Sequence, residues 1–203
     1  MKTGTPLNSG VSIGCLDNLQ LDKLMESFEA WYRCAPTPFL RRVRGRYWLS
    51  FLMLRYTGAR VGEILRVDDS ADIDFERQEI YISNRPHESP KRLRRSIPVP
   101  SQLITLVQEY LSEFPIMRGR VFALDQGNFR REFYRRAEEA NIPRELSHPH
   151  ILRHTRALEM VRAGVPFRTI QGLLGHLAPL STFAYFQVSE TSARKILKEK
   201  GLL

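Results

Sequence analysis

Apolar residues in this chain keep a helical spacing almost everywhere and abandon it once. Between Asp72 and Val99 the period drops to two. Ile73, Phe75, Ile80, Ile82, Ile97 and Val99 sit in short alternating stretches separated by turn residues, the pattern of small antiparallel strands. On the N-terminal side the spacing predicts helices over 19–34, 39–56 and 61–67. On the C-terminal side it predicts them over 101–114, 126–141, 149–163, 166–174, 180–187 and 189–200. Asp17 is placed to cap the first, and Ala35-Pro36-Thr37-Pro38 ends it. The expected fold is mostly α with one small antiparallel β-sheet, an α+β arrangement. The segment between the last two strands, 84–95, is expected to be an exposed basic connection.

With 203 residues, 42% of them hydrophobic, the chain can bury a core without cross-links. Cys15 and Cys34 cannot make a disulfide framework and lack metal-ligand spacing. The longest apolar run, Tyr47–Leu54, is far short of a membrane span and contains Ser50. No secretory signal opens the chain, so the expectation is a soluble, cytoplasmic protein without a membrane partner. The charge is distinctive. Lys plus Arg total 31 against 22 acids, giving +9, and only six of the 31 are Lys. A planar guanidinium fork suits phosphate, which points to a polyanionic partner; an Arg-rich proteome would give the same excess.

Four short motifs carry chemistry. In Thr57-Gly58-Ala59-Arg60-Val61-Gly62-Glu63-Ile64-Leu65, an Arg directly after a Gly turn and at a helix start favours an anion. The plain alternative is an i, i+3 surface pair of Arg60 with Glu63. In His148-Pro149-His150-Ile151-Leu152-Arg153-His154, Pro149 suits a first helical turn. His150 and Arg153 then share one face. Leu173-Leu174-Gly175-His176 reads as a helix end with a His just beyond. Tyr185 follows nine residues later, between Phe183 and Phe186, where packing is the default.

Together, in this order and with this His-to-Tyr spacing, the motifs resemble the catalytic domain of tyrosine recombinases, the phage integrase family. The resemblance runs from about residue 16 to the C-terminus. The expected layout is a leader over 1–15 and a catalytic domain over 16–203; the N-terminal core-binding domain that family members commonly carry is expected to be absent here, either cut away or never present. By position the resemblance implies Arg60 and Arg153 as the guanidiniums on the scissile phosphate. His150 is the His of the His-x-x-Arg pair, His176 a further phosphate-contacting or proton-handling group, and Tyr185 the nucleophile. Glu63 matches a supporting acidic position. Lys91 matches the hairpin lysine, seven residues before Pro98 where the family usually places it eight before. It is the only Lys between Lys23 and Lys195, and an ammonium can give up a proton that a guanidinium keeps.

What the resemblance implies is a site-specific DNA recombinase of integrase, invertase or resolvase type, working through a 3′-phosphotyrosyl intermediate with neither metal nor cofactor. Its partner would be double-stranded DNA on the nucleoid, with Arg41, Arg42, Arg44, Arg92, Arg94, Arg95, Arg130 and Arg131 as candidate DNA contacts. Other protomers would assemble on DNA, with Ser189–Lys200 either docking on a neighbour or packing on its own domain. Two other readings share these residues: relaxation of DNA in the manner of a type IB topoisomerase, and a DNA-binding regulator with the fold but little activity.

Overall fold

A computed structural model describes residues 14–83 and 94–175. The candidate leader up to residue 13, the segment with Lys91 and Arg92, and everything from His176 on, including Tyr185 and the last two expected helices, lie outside the described residues.

Helix α1 covers Asn18–Arg33. Asp17 caps it as the sequence predicts, its carboxylate accepting from the Gln20 N–H at 2.8 Å while the Gln20 side chain accepts from the Asp17 N–H at 3.0 Å. Helix α2, Pro38–Thr57, starts with Thr37 as cap and Pro38 in its first turn. Its middle, Trp48 to Leu54, is wholly buried, because α1, α4 and α6 each pack against it. Phe51 stacks on Phe28 of α1 with ring centroids 4.3 Å apart, and Phe133 closes on both. This aromatic cluster is the centre of the core.

Helix α3 is shorter than expected. It spans Val61–Ile64 and then tightens, the N–H groups of Arg66 and Val67 bonding back only three residues. The sheet follows in the order β1 (Ile73–Asp74), β2 (Glu79–Ser83), β3 (Arg94–Pro98), antiparallel throughout. Ile73 faces Ile80 and Ile80 faces Ile97 across the ladder, so the alternating isoleucines form one buried face. Helix α4, Ser101–Glu113, turns Leu103, Val107 and Leu111 inward.

Helices α1, α2 and α4 meet at Gly45. A Cβ there would sit 2.5 Å from Tyr110 Cε2 and 3.0 Å from Tyr32 Cε2. The Tyr110 ring cannot yield easily, since it is buried and its hydroxyl donates to the Arg42 carbonyl at 2.7 Å. Gly45→Ala is therefore expected to lower unfolding stability by about 1–3 kcal/mol, the range for overpacking. A chemical denaturation midpoint equal to wild type would contradict this close packing.

The loop before α5 (Gln126–Glu139) is fixed through its backbone. Arg46 donates to the carbonyls of Arg120, Val121 and Ala123, and the buried Asp69 carboxylate accepts from the N–H groups of Gly119 and Val121. Asp125 then caps α5. That helix stops before the expected end, at Ala140, where Asn141 takes φ 54°. Helices α6 (His150–Arg162) and α7 (Phe167–Leu174) complete the described fold. Thr155 of α6 accepts from the Leu16 N–H at 3.0 Å, tying the start of α1 to α6.

Candidate active site

Gly58 is where the separate motifs meet. It ends α2 in the left-handed conformation, φ 63°, which glycine adopts without penalty. Its carbonyl accepts from Arg153 Nη1 at 2.8 Å, across 95 residues of sequence. Its bare Cα lets Leu174 of α7 and Arg156 of α6 close in, at 2.8 and 3.2 Å from where a Cβ would stand. One residue thus fixes the turn before Arg60, the helix carrying His150 and Arg153, and the end of α7.

The two candidate guanidiniums differ in setting. Arg153 is buried, 2% exposed. Arg60 is the cap residue of α3 and its side chain is 49% exposed. Arg60, His150 and Glu63 line one open cleft of about 540 Å³, together with Arg66, Gln126, Arg130, Tyr134 and His148. The structure therefore brings Arg60 and His150 together and ties Arg153 to the same turn. Glu63 is not the surface partner its spacing allows. Its carboxylate is 6% exposed. It accepts from the Arg60 N–H at 2.7 Å and from both Nη atoms of Arg95 at 2.8 and 3.2 Å, and the Arg60 side chain lies farther, at 3.5 Å. Burial pushes Glu63 up, but the Arg95 bonds and charge and the Arg60 N–H outweigh it and hold the carboxyl below its usual range.

The imidazoles at the start of α6 are shifted the other way. Burial, then the Arg153, His148 and Arg60 charges, lower His150, so it is neutral at pH 7 with a ring nitrogen free to accept. The His154 ring meets that of His150 edge-on, centroids 4.8 Å apart at 87°. Burial, with His150, His148 and Arg153 nearby, lowers His154 to about 4. In the unfolded chain a His binds its proton near pH 6.5. Between about pH 6.5 and 4 the unfolded state therefore holds a proton that folded His154 does not, and stability falls as the pH drops through that window. His154→Gln should shrink the fall in melting temperature between pH 7 and pH 5; an undiminished fall would exclude His154 as its source.

The candidate DNA contacts differ in how far their guanidiniums are already engaged within the fold. Arg95 is not on the surface: its side chain is 9% exposed, paired with Glu63, and its Nε donates to the Leu173 carbonyl at 2.8 Å. Arg44 is half-buried and spends its guanidinium on the Trp31 carbonyl and ring. Arg41 is held by Glu113 and lies over the Tyr32 ring. With Arg42, which rests over Phe39, these two sit about 21–26 Å along α2 from Gly58 at ~1.5 Å per residue. Arg94 is one-third exposed and 3.2 Å from Asp72. Arg130 and Arg131 are exposed on α5, Arg130 in the cleft wall and Arg131 bonded to Asn128.

The sequence reading missed Arg66 and Gln126. Were Gly62 to carry a Cβ, Arg66 Nη1 and Gln126 Oε1 would lie 3.4 and 3.6 Å from it, so α3 and α5 face each other across the cleft. Arg66 is three residues after Glu63, one turn on, which was the available signal. Of the three aromatic residues on α5, Phe129 and Phe133 are buried, whereas Tyr134 is 48% exposed at the cleft. Among the described residues no group of His, Cys, Asp and Glu could hold a metal ion, and no helix is long and apolar enough to cross a membrane.

Residues 15–192 match the phage integrase family. The chain belongs to that family. Tyrosine recombinase XerA of Thermococcus onnurineus (strain NA1) is 32% identical over 161 residues, which take in 76% of this chain and 55% of that protein. The integrase-family fold is equally plain in solved structures. A XerA recombinase crystal structure aligns with TM-score 0.71 at 23% identity, covering 97% of this chain and 66% of that one. XerH site-specific recombinase bound to a palindromic difH substrate, a post-cleavage complex, aligns with TM-score 0.72 at 23% identity over 90% of this chain and 52% of that one. The chain spans about half the length of the curated relatives it matches.

Proposed function

We propose that this integrase-family chain is a site-specific DNA recombinase that cuts and rejoins duplex DNA through a 3′-phosphotyrosyl intermediate. One observation carries the reading: Arg60 and His150 line a single cationic cleft while Arg153, from the helix of His150, is bonded to the turn that presents Arg60. A phosphodiester entering that cleft meets guanidiniums suited to two-point contact with its non-bridging oxygens. Charge gathers on those oxygens as phosphorus becomes five-coordinate, and each preorganised donor is worth roughly 3–4 kcal/mol at that stage.

In the proposed step the Tyr185 oxygen attacks phosphorus and the bond to the 5′ oxygen breaks. Neutral His150 takes the phenol proton, and Lys91 protonates the departing 5′ oxygen. The bond energy stays in the phosphotyrosyl ester, so a 5′-hydroxyl from another strand reverses the steps and reseals. Arg130, Arg131 and Arg66 would carry neighbouring duplex backbone. Protomers would meet on DNA, through Ser189–Lys200 if that helix docks on a neighbour.

The test is covalent capture. A pool of nicked duplexes randomised over about 30 base pairs is incubated with the chain, and detergent-resistant protein–DNA adducts are recovered and sequenced. Adducts that Tyr185→Phe abolishes support recombinase chemistry. Duplex binding without adducts from any sequence would instead favour a regulator that keeps only the fold.

A further inference from the structure

We propose that Arg95 is a positioning residue of the strand-transfer site: its guanidinium couples the carboxylate that holds the Arg60 segment to the carbonyl end of α7, from which the chain passes into His176. The inference rests on the recombinase reading above. Every nitrogen of the fork is used. Nη1 and Nη2 donate to the two carboxylate oxygens of Glu63, at 3.2 and 2.8 Å, and Nε donates to the Leu173 carbonyl at 2.8 Å. The same Glu63 oxygen that takes Nη2 also accepts from the backbone N–H of Arg60 at 2.7 Å. A continuous line of charge-assisted bonds therefore runs from Arg60 through Glu63 and Arg95 to Leu173, two residues before the glycine that caps α7.

Arg95 also belongs to the third segment. It lies on β3 opposite Ile82 of β2, next to the Arg94–Ser83 pair, and these strands are the stems of the stretch that contains Lys91. One side chain thus joins three pieces of chain, each of which leads directly to a proposed catalytic group. Stability alone gives little reason for such a pair. Desolvating two charges costs about as much as their attraction returns, and apolar residues of similar volume often serve as well. A planar fork satisfied on all sides instead fixes position. A lysine here would keep the charge and lose the geometry, since one ammonium cannot lie in line with both carboxylate oxygens and the Leu173 carbonyl.

Arg95→Lys in the full chain is the first test, using duplexes recovered by covalent capture. Cleavage in a single turnover is expected to slow at least tenfold while duplex affinity stays within twofold. In DNA-free protein, hydrogen exchange at the Arg60 and Gly175 amides should quicken together, with the amides around Phe51 unchanged. Wild-type cleavage, or unchanged exchange at both amides, would overturn the proposal. So would slower cleavage accompanied by faster exchange throughout the core, which marks a merely structural role. Should the lysine variant not fold, the Arg95→Met, Glu63→Leu double replacement removes both buried charges at once. It is expected to fold and to show the same cleavage defect, and full activity in it would overturn the coupling. If the wild-type chain forms no adduct with any duplex, it is the recombinase reading that fails, and amide exchange alone still decides whether Arg95 links the two segments.

Discussion

Arg60→Ala is expected to slow covalent cleavage by about 10²–10³-fold, the loss for one preorganised donor, without moving the melting temperature measurably. The side chain is half exposed and its ion pair with Glu63 spans 3.5 Å; Glu63 keeps its Arg95 bonds when Arg60 is gone. Arg153→Ala should cost as much in cleavage and also destabilise the fold. That guanidinium is buried and satisfies the Gly58 carbonyl. Its removal leaves a buried acceptor bare and a void behind it, together about 2–4 kcal/mol. At roughly 2–4 °C per kcal/mol for a chain of this size, the difference between the two variants is easily read. Equal melting temperatures for both would contradict the contrast between an exposed and a buried arginine, and wild-type cleavage by either would remove that residue from the phosphate.

The second large effect is at Gly58. Alanine there pays about 1–2 kcal/mol for the left-handed backbone and also drives a methyl to 2.8 Å from Leu174 Cδ2, in a side chain with no exposure. The combined loss is expected to reach about 2–4 kcal/mol, with cleavage reduced in the protein that remains folded, because the carbonyl that Arg153 uses is displaced. Thermal melting measures the first and single-turnover cleavage the second. Stability within 0.5 kcal/mol of wild type, against that ~2–4 kcal/mol expectation, would mean that α7 can retreat from the turn, and that the three segments are less tightly joined than the distances indicate.

Much of this was readable in advance because period and punctuation act locally. Ile73, Ile80, Ile82 and Ile97 declare one buried sheet face, and Asp17, Thr37 and Asp125 cap their helices by bonds within three residues. Helix ends shifted by two or three residues where a tightened turn or a positive φ intervened, at Leu65 and Asn141. The arginines were harder. A run of basic residues suggests an exposed DNA face, yet period two places Arg95 on the same side as Ile97 and Val99, which are buried. The inward direction was legible, and its partner was not, because Glu63 lies 32 residues away. Much of the positive charge proved to be committed internally, Arg55 to Glu159, Arg136 to Glu132 and Glu139, and Arg46 to three carbonyls. Net charge counts those groups; only tertiary structure shows which remain for a partner.

The clasp of Arg46 and Asp69 on the loop before α5 grips main-chain atoms alone. Within 119–123 the exposed Arg120 and Ala123 can therefore vary without redirecting the helix that follows, whereas Gly119 holds φ 77° and Val121 and Phe122 are buried in the core, and the outward positions of that helix can be exchanged without disturbing Gly58 or Arg153. Under the proposed function, Gln126, Arg130, Arg131 and Tyr134 are the positions to randomise first for altered sequence preference, since they face outward while Phe129, Phe133 and Ala137 keep the helix mounted on a fixed chassis.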